Sequence, residues 1–260
     1  MRPQSRLIAI TLVALVALTG CLGTDEPELQ EDAQAPMEPE AQRGEPRLQR
    51  GPIETHQDDD GWVAVQGINI TNGLGATTEA TIRLSAPAGG ISLDHDEDRP
   101  AGDLAPGTGY WIQITLRAKG DTEEQARRGV QSMRLAHTDE LAGERLTLAT
   151  EVTYREQDPA NLTDVDPEGL LGAGADNRHA RIRAHVPPGP HYEARAETST
   201  GGVSIAGAFP TAEARTTTGG VSLVLFPWTS GTVVAETGSG GVSVVLQGGA
   251  DNGYDVTADT

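Results

Sequence analysis

The stretch "TSTGGVSIAGAFPTAEARTTTGGVSLVLFPWTSGTVVAETGSGGVSVVL", Thr198 to Leu246, writes one short phrase three times. Aligned on Gly201-Gly202, Gly219-Gly220 and Gly240-Gly241, it puts Val203, Val221 and Val242 in one column. Ser204, Ser222 and Ser243 form the next, followed by Ile205, Leu223 and Val244. Upstream columns hold Thr198, Thr216 and Thr237, then Ala196, Ala214 and Ala235, then Ala194, Ala212 and Val233. The spacing is 18 and then 21 residues, in the range of repeat architectures. Small or apolar positions alternate with polar ones on both sides of the glycines, the two-residue period of a strand with one buried face. Each copy therefore reads strand, Gly-Gly bend, strand, with glycine supplying the positive φ that a tight bend needs.

One such copy cannot bury its apolar face, whereas copies lying in register share a continuous core. The outward columns are compatible with stacking. Glu197, Arg215 and Glu236 fall in one and Arg195, Glu213 and Val234 in another, so opposite charges meet between neighbours. The prediction for Glu193 to Thr260 is a short β-solenoid with a single strand per side. Tyr254 to Thr260 continues the columns through Val256, Ala258 and Thr260, and if that strand ends the stack, its open edge predicts pairing with another chain.

Working backwards, "ATIRLSAPAGGISLDHD" carries a degenerate copy, with Ile82 and Leu84 inward and Gly89-Gly90-Ile91-Ser92-Leu93 matching the phrase. Strands are predicted at Trp62 to Ile70, Tyr110 to Ala118, Arg145 to Glu156 and Ala180 to Gly189. Between them, "DTEEQARRGVQSMRL" has an acidic start and places Ala126, Val130, Met133 and Leu135 on one face, predicting a helix over Thr122 to Leu135. Asp158 to Asn177 reads as loop. The whole is mainly β, a solenoid with one helix-containing insertion.

This order, with its short Glu-rich helix, its "VPPG" break and its Gly-rich "T-x-x-G-G-V-S" turns, resembles the putative adhesin family of prokaryotic cell-envelope β-solenoid proteins. The resemblance spans roughly Ile53 to Thr260 and brings no catalytic residues to carry over.

At the other end, Arg2 and Arg6 precede the apolar run Leu7 to Leu18, followed by Thr19, Gly20 and Cys21, the layout of a secretory signal. The run is short of the ~20 residues of a membrane span, so a short uncleaved anchor is the weaker alternative. Leu18-Thr19-Gly20-Cys21 resembles the lipobox of prokaryotic lipoproteins, which implies cleavage before Cys21 and lipid attachment to its sulfur. Cys21 is the only cysteine, which leaves no intramolecular disulfide and no cysteine-based zinc site. Leu22 to about Pro52, rich in Glu, Gln, Pro and Ala, buries too little apolar surface to order itself and reads as a tether. A coil of about 30 residues reaches roughly 30 Å. The expected division is a signal peptide over 1–20, lipidated cysteine and linker over 21–52, and a folded domain over 53–260.

Asp and Glu number 38 against 19 Lys and Arg, a formal charge of −19, and Lys119 is the sole lysine. Nucleic acid is excluded as a partner, since phosphate binding needs clustered positive charge. Such acidity fits solubility at high salt, and the lysine poverty fits a GC-rich genome equally well.

Candidate chemistry is sparse. Asp94, Asp96 and Asp98 begin like a calcium loop, but Arg99 and Ala105 occupy the positions that need glycine and glutamate; the alternative is an acidic loop. His179, His185 and His191 recur every six residues and are expected to be solvated. Phe209, Phe226 and Trp228 sit in connecting loops, as an edge cover or a contact patch. Asn69 and Asn161 begin glycosylation acceptor triplets, Asn161 in a predicted loop. Thr198, Ser204, Thr216, Ser222, Thr237 and Ser243 make the most regular binding surface, unless they satisfy turn backbone groups. With aromatics at 3% and no clustered acids along the glycine units, neither a polysaccharide-cleaving enzyme nor a cofactor is expected. The expectation is a non-enzymatic, extracytoplasmic, lipid-anchored envelope protein of adhesion or structural type. Its partners are the membrane and an envelope polysaccharide or another surface protein. The rival is a polysaccharide- or calcium-binding sensor module.

Overall fold

Each Gly-Gly pair turns the chain from one sheet into another. The computed structural model describes residues 43–95, 108–154, 177–226, 230–247 and 254–260. Its strands are β1 (Arg47–Asp58), β2 (Gly61–Gly73), β3 (Glu79–Ala88), β4 (Ile91–His95), β5 (Gly109–Gly120), β6 (Met133–Ala142), β7 (Arg145–Tyr154) and β8 (Arg178–Val186). They continue as β9 (His191–Thr200), β10 (Val203–Gly207), β11 (Thr211–Thr218), β12 (Val221–Leu225), β13 (Gly231–Thr237), β14 (Val242–Leu246) and β15 (Tyr254–Asp259), and the helix α1 spans Glu123–Gln131. The strands form two open mixed sheets, ordered β1-β2-β5-β8-β4-β10-β12-β14 and β15-β13-β11-β9-β3-β7-β6.

The columns written from the sequence are ladder partners. Val221 pairs with Val203 on one side and Val242 on the other, and Val203 pairs in turn with Ile91 of the degenerate copy. In the second sheet Ala196, Ala214, Ala235 and Ala258 lie in line across parallel strands. Spatial order departs from chain order at one place. β7 and β8 lie beside β3 and β4 on the side away from β9 and β10, so the degenerate copy sits between the insertion and the glycine-rich units. One core cluster draws inward residues from both sheets, among them Ile82, Leu84, Leu93, Ile112, Ile114, Ile182, Ile205 and Leu223.

At the bends the fit is very close. Gly89, Gly201, Gly219 and Gly240 have φ of 123°, 133°, 143° and 149°. A Cβ on Gly201 would lie 1.9 Å from the carbonyl oxygen of Gly89, and one on Gly219 1.9 Å from that of Gly201. The second glycine of each pair is under no such constraint: a Cβ on Gly220 would meet Gly241 O at 3.7 Å, an ordinary contact. The ladder runs on through the bends, with Gly201 N donating to Thr218 O at 2.8 Å and Val203 N to Gly220 O at 2.9 Å.

Three features differ from the sequence reading. Arg47 to Pro52, expected in the linker, belong to β1, which pairs antiparallel with β2 from Arg47 opposite Thr71. The helix stops at Gln131, with Ser132 as its C-cap, and Met133 and Leu135 belong to β6, opposite Tyr154 and Val152 of β7. Its start matches expectation and is reinforced by a capping box between Thr122 and Gln125. Phe209 is fully buried against Tyr192 and His95, not part of an exposed patch; Phe226 is exposed, and Trp228 lies outside the described residues.

Because the left-handed φ and the backbone clash coincide at the first glycine alone, substitutions within one pair should separate. Gly219→Ala is expected to lose about 3 kcal/mol or more in denaturant unfolding, and Gly220→Ala less than about 1 kcal/mol. Equal losses would contradict the bend geometry.

Candidate functional site

β8 alternates over residues 179–184, with Ala180, Ile182 and Ala184 buried and His179, Arg181 and Arg183 exposed on the outer face of the first sheet. β5 runs antiparallel beside it and sets Trp111 opposite His185, Gln113 opposite Arg183, Thr115 opposite Arg181 and Arg117 opposite His179. On the other side β4 sets Ser92 opposite Arg183 and Asp94 opposite His185. Gly90, Ile91, Ser92, Asp94, Arg181, Arg183 and His185 line a shallow cleft of about 360 Å³. At one end the Trp111 and His185 rings lie 4.9 Å apart at 32°, and His185 Nδ1 meets Asp94 Oδ1. Arg181 and Arg183 have no hydrogen-bond or ion-pair partner among the described residues.

The outer face of the second sheet is built differently. Its cleft of about 470 Å³ is lined by Arg83, Ser85, Glu151, Arg195, Glu197, Glu213 and Arg215, among others. Here the arginines are largely neutralised. Glu213 sits between Arg195, at 3.6 Å, and Arg215, at 2.9 Å, and Arg215 also reaches Glu236 at 2.9 Å. Arg195 with Glu213 and Arg215 with Glu236 are the opposite charges anticipated between neighbouring strands, whereas Glu213 and Arg215 share β11; each pair is worth only about 0.2–1 kcal/mol at an exposed position. Arg83 stands directly opposite Arg195 in register, and Arg195 turns towards Glu213.

Of the six residues expected to form a binding surface, the serines and the threonines differ in exposure. Ser204 is half-buried, and Ser222 and Ser243 are exposed. Thr198, Thr216 and Thr237 are 2%, 5% and 5% exposed, too buried to touch a partner. Their hydroxyls donate to the bend carbonyls of the neighbouring unit: Thr198 to Gly89 O, Thr216 to Gly201 O at 3.0 Å and Thr237 to Gly219 O at 2.9 Å. The bend carbonyls thus take up the threonines that the sequence left open to either role.

The other predicted residues scatter. Asp94 lies in the first cleft, while Asp96 and Asp98 lie outside the described residues, as do Cys21 and Asn161. Among the described residues no three His, Cys, Asp or Glu side chains gather as a metal site. Asn69 is half-buried within β2, between Gln49 of β1 and Gln113 of β5. His179 and His191 are exposed, in different sheets, but His185 is covered by Trp111 and Asp94, which overturns its expected solvation.

A polar cluster that sequence reasoning missed joins the two sheets. Tyr110 donates to Asp139 Oδ2 at 2.6 Å, Asn72 donates to the same oxygen at 2.6 Å, and Arg43 pairs with Asp139 Oδ1. With the Tyr110 hydroxyl donating to Asp139, the 3.2 Å contact to His137 Nε2 requires the histidine to donate, so Nδ1 accepts from Thr150 at 3.0 Å. Burial pushes the Tyr110 phenol above its ordinary range, although the Arg43 charge opposes this, and burial also holds the His137 imidazolium below its ordinary range. The cluster is acid–base equipment turned on itself. Only the strand order shows it, since Arg43 and Asp139 are 96 residues apart in sequence.

No protein-family profile and no curated protein matches the chain. Among solved structures, one described as a putative cell adhesion protein from Clostridium sporogenes ATCC 15579 aligns over 83% of this chain and 100% of its own, at 8% identity and a TM-score of 0.30. That likeness is too distant to carry fold or function.

His95 closes the core beside these clefts. Its Nδ1 accepts from Ala208 N at 3.2 Å, so the ring is neutral with its proton on Nε2. Burial depresses its pKa to about 4, opposed in part by the Asp94 charge. Between that value and the ~6.5 of an unfolded histidine, the unfolded chain binds the extra proton. Stability attributable to His95 is therefore complete above about pH 6.5 and is lost as the pH falls towards 4. The unfolding free energy across this window should fall more steeply for the native chain than for His95→Phe, by up to about 1.4 kcal/mol per pH unit in denaturant titrations; parallel curves would contradict the assignment.

Proposed function

We propose that the chain is a non-enzymatic, lipid-anchored surface protein of the cell envelope, of adhesion or structural type, whose two sheets form a short β-solenoid. The observation that carries this reading is the parallel, in-register stacking of the units β3–β4, β9–β10, β11–β12 and β13–β14. Each unit sets the same small side chains inward and a polar row outward, one strand spacing of about 4.8 Å beyond the last. A stack of this kind offers broad, stiff, regular faces, which suit many-point contact with a polymer or a second surface better than enclosure of a small substrate.

The sequence supports the placement. Leu18-Thr19-Gly20-Cys21 follows an apolar run, and the acidic stretch after it leads to β1 at Arg47. In this reading residues 1–20 are a signal, Cys21 carries lipid, and the tether holds the folded part off the membrane on its outer side. The non-enzymatic part of the reading is supported by the Tyr110, His137 and Asp139 cluster, whose polar atoms are engaged with one another, with Thr150 and with Arg43.

In a host that processes lipoproteins, growth with radiolabelled palmitate is expected to label the native chain and move it into the detergent phase, and Cys21→Ser is expected to abolish the label. An unlabelled native chain, or a labelled Cys21→Ser variant, would overturn the anchored reading.

A further inference from the structure

Arg50, Arg83 and Arg134 lie on three different strands without an ion pair among the described residues, whereas the first sheet's outer face sets two such arginines next to one another on one strand. In a chain of formal charge −19, acidic groups are plentiful, and Arg127, Arg128, Arg145, Arg195 and Arg215 each engage a glutamate. Arg181 and Arg183 do not, although they stand side by side at successive outward positions of one strand, about 7 Å apart. Their cross-strand neighbours, Thr115 and Gln113 on β5 and Ser92 on β4, are neutral hydrogen-bonding groups. The acid of the cleft, Asp94, is turned to His185. Beyond Arg181 the row continues with Arg117 opposite His179, so positive or neutral groups run along the strand from the Trp111 ring outward.

Two unneutralised guanidinium forks, neutral donors and acceptors on either side and an indole at one end form a strip for an extended, hydroxyl-rich anion. Guanidinium binds carboxylate through paired parallel hydrogen bonds, which a hydrated ammonium does not reproduce. From this arrangement we infer that the cleft between β5, β8 and β4 binds an acidic polysaccharide whose sugars carry carboxylates. Arg181 and Arg183 take the carboxylates, and the neighbouring Gln113, Thr115 and Ser92 meet sugar hydroxyls. Charge complementarity selects this partner: a net charge of −19 disfavours polyanions over the chain at large, whereas this strip sets two unneutralised guanidinium groups side by side. The inference rests on the outward placement proposed above, where envelope polymers are met.

The test titrates the full-length chain, in detergent micelles, with a galacturonate hexamer, galacturonate monomer, a neutral maltohexaose and glycerol phosphate, a soluble anionic-lipid headgroup. The hexamer is expected to bind at least 10-fold more tightly than the monomer or the neutral hexamer, and more weakly as salt rises. Arg181→Gln with Arg183→Gln should weaken hexamer binding at least 10-fold, Arg183→Lys should weaken it less, and Arg83→Gln on the opposite sheet should leave it unchanged. Thermal unfolding of each variant checks that the fold is retained. Equal binding of the neutral hexamer, retained binding by the double variant, equal binding of the monomer, or binding of glycerol phosphate alone would each overturn the proposal. Binding is read here without the lipid label, so a failed palmitate experiment with intact hexamer binding removes only the surface placement, and the converse removes only the ligand.

Discussion

A backbone carbonyl aimed at the Cα of a glycine in the next unit is the contact on which the glycine-rich half depends. Gly89 O points at Gly201, Gly201 O at Gly219 and Gly219 O at Gly240, and in each case a Cβ would lie within 2 Å of that oxygen. The approach lets the ladder run unbroken through the corner between sheets. Thr198, Thr216 and Thr237 then donate to the same carbonyls from within the corner. A buried carbonyl left without a donor costs about 1–3 kcal/mol, so the threonine column is the counterpart of the glycine column, not an independent decoration. The in-register stacking follows from the two together, because a slip of one residue would set a side chain where only hydrogen fits and would turn every inward valine outward.

With the inner faces fixed in this way, the outer faces become regular strips whose character is decided by strand order. On the second sheet, Arg195 with Glu213 and Arg215 with Glu236 pair across neighbouring units and quench one another. On the first, the strand carrying Arg181 and Arg183 lies between β5 and β4, whose outward residues at those positions are uncharged. The two faces of one body therefore differ in what they can attract, although both are built by the same two-residue alternation.

Much of the first of these arguments was legible in the sequence. Val203, Val221 and Val242, written as a column, are ladder partners, and so are the alanines upstream of the bends. The reading did not separate the two glycines of each pair, because the clash that distinguishes them comes from a neighbouring unit. β1 escaped because Arg47, Gln49, Arg50 and their neighbours are largely exposed, and its order comes from backbone pairing with β2, which leaves no apolar pattern. β6 is hidden behind the helix because Met133 satisfies helical and strand spacing alike, and Ser132 ends the helix without a glycine or proline to mark it; Leu135, two residues on, fits the strand alone. His185 has outward parity in any strand reading; its burial requires knowing that Trp111 arrives opposite it from an antiparallel strand. The Tyr110 and Asp139 cluster and the unneutralised arginines depend likewise on which strands become neighbours across the long insertion.

The register of the bends is measured most directly by paired cysteines in a Cys21→Ser background. Ser222 and Ser243 are exposed register partners on adjacent parallel strands, about 4.8 Å apart, inside the range a disulfide spans. Ser204 and Ser243 are separated by two strand spacings, about 10 Å, beyond that range. Under mild oxidation the Ser222→Cys, Ser243→Cys chain is expected to form an intramolecular disulfide without loss of its unfolding midpoint, and the Ser204→Cys, Ser243→Cys chain is expected to stay reduced. A bond in the second pair, or none in the first, would contradict the stacking from which the rest of the account is built.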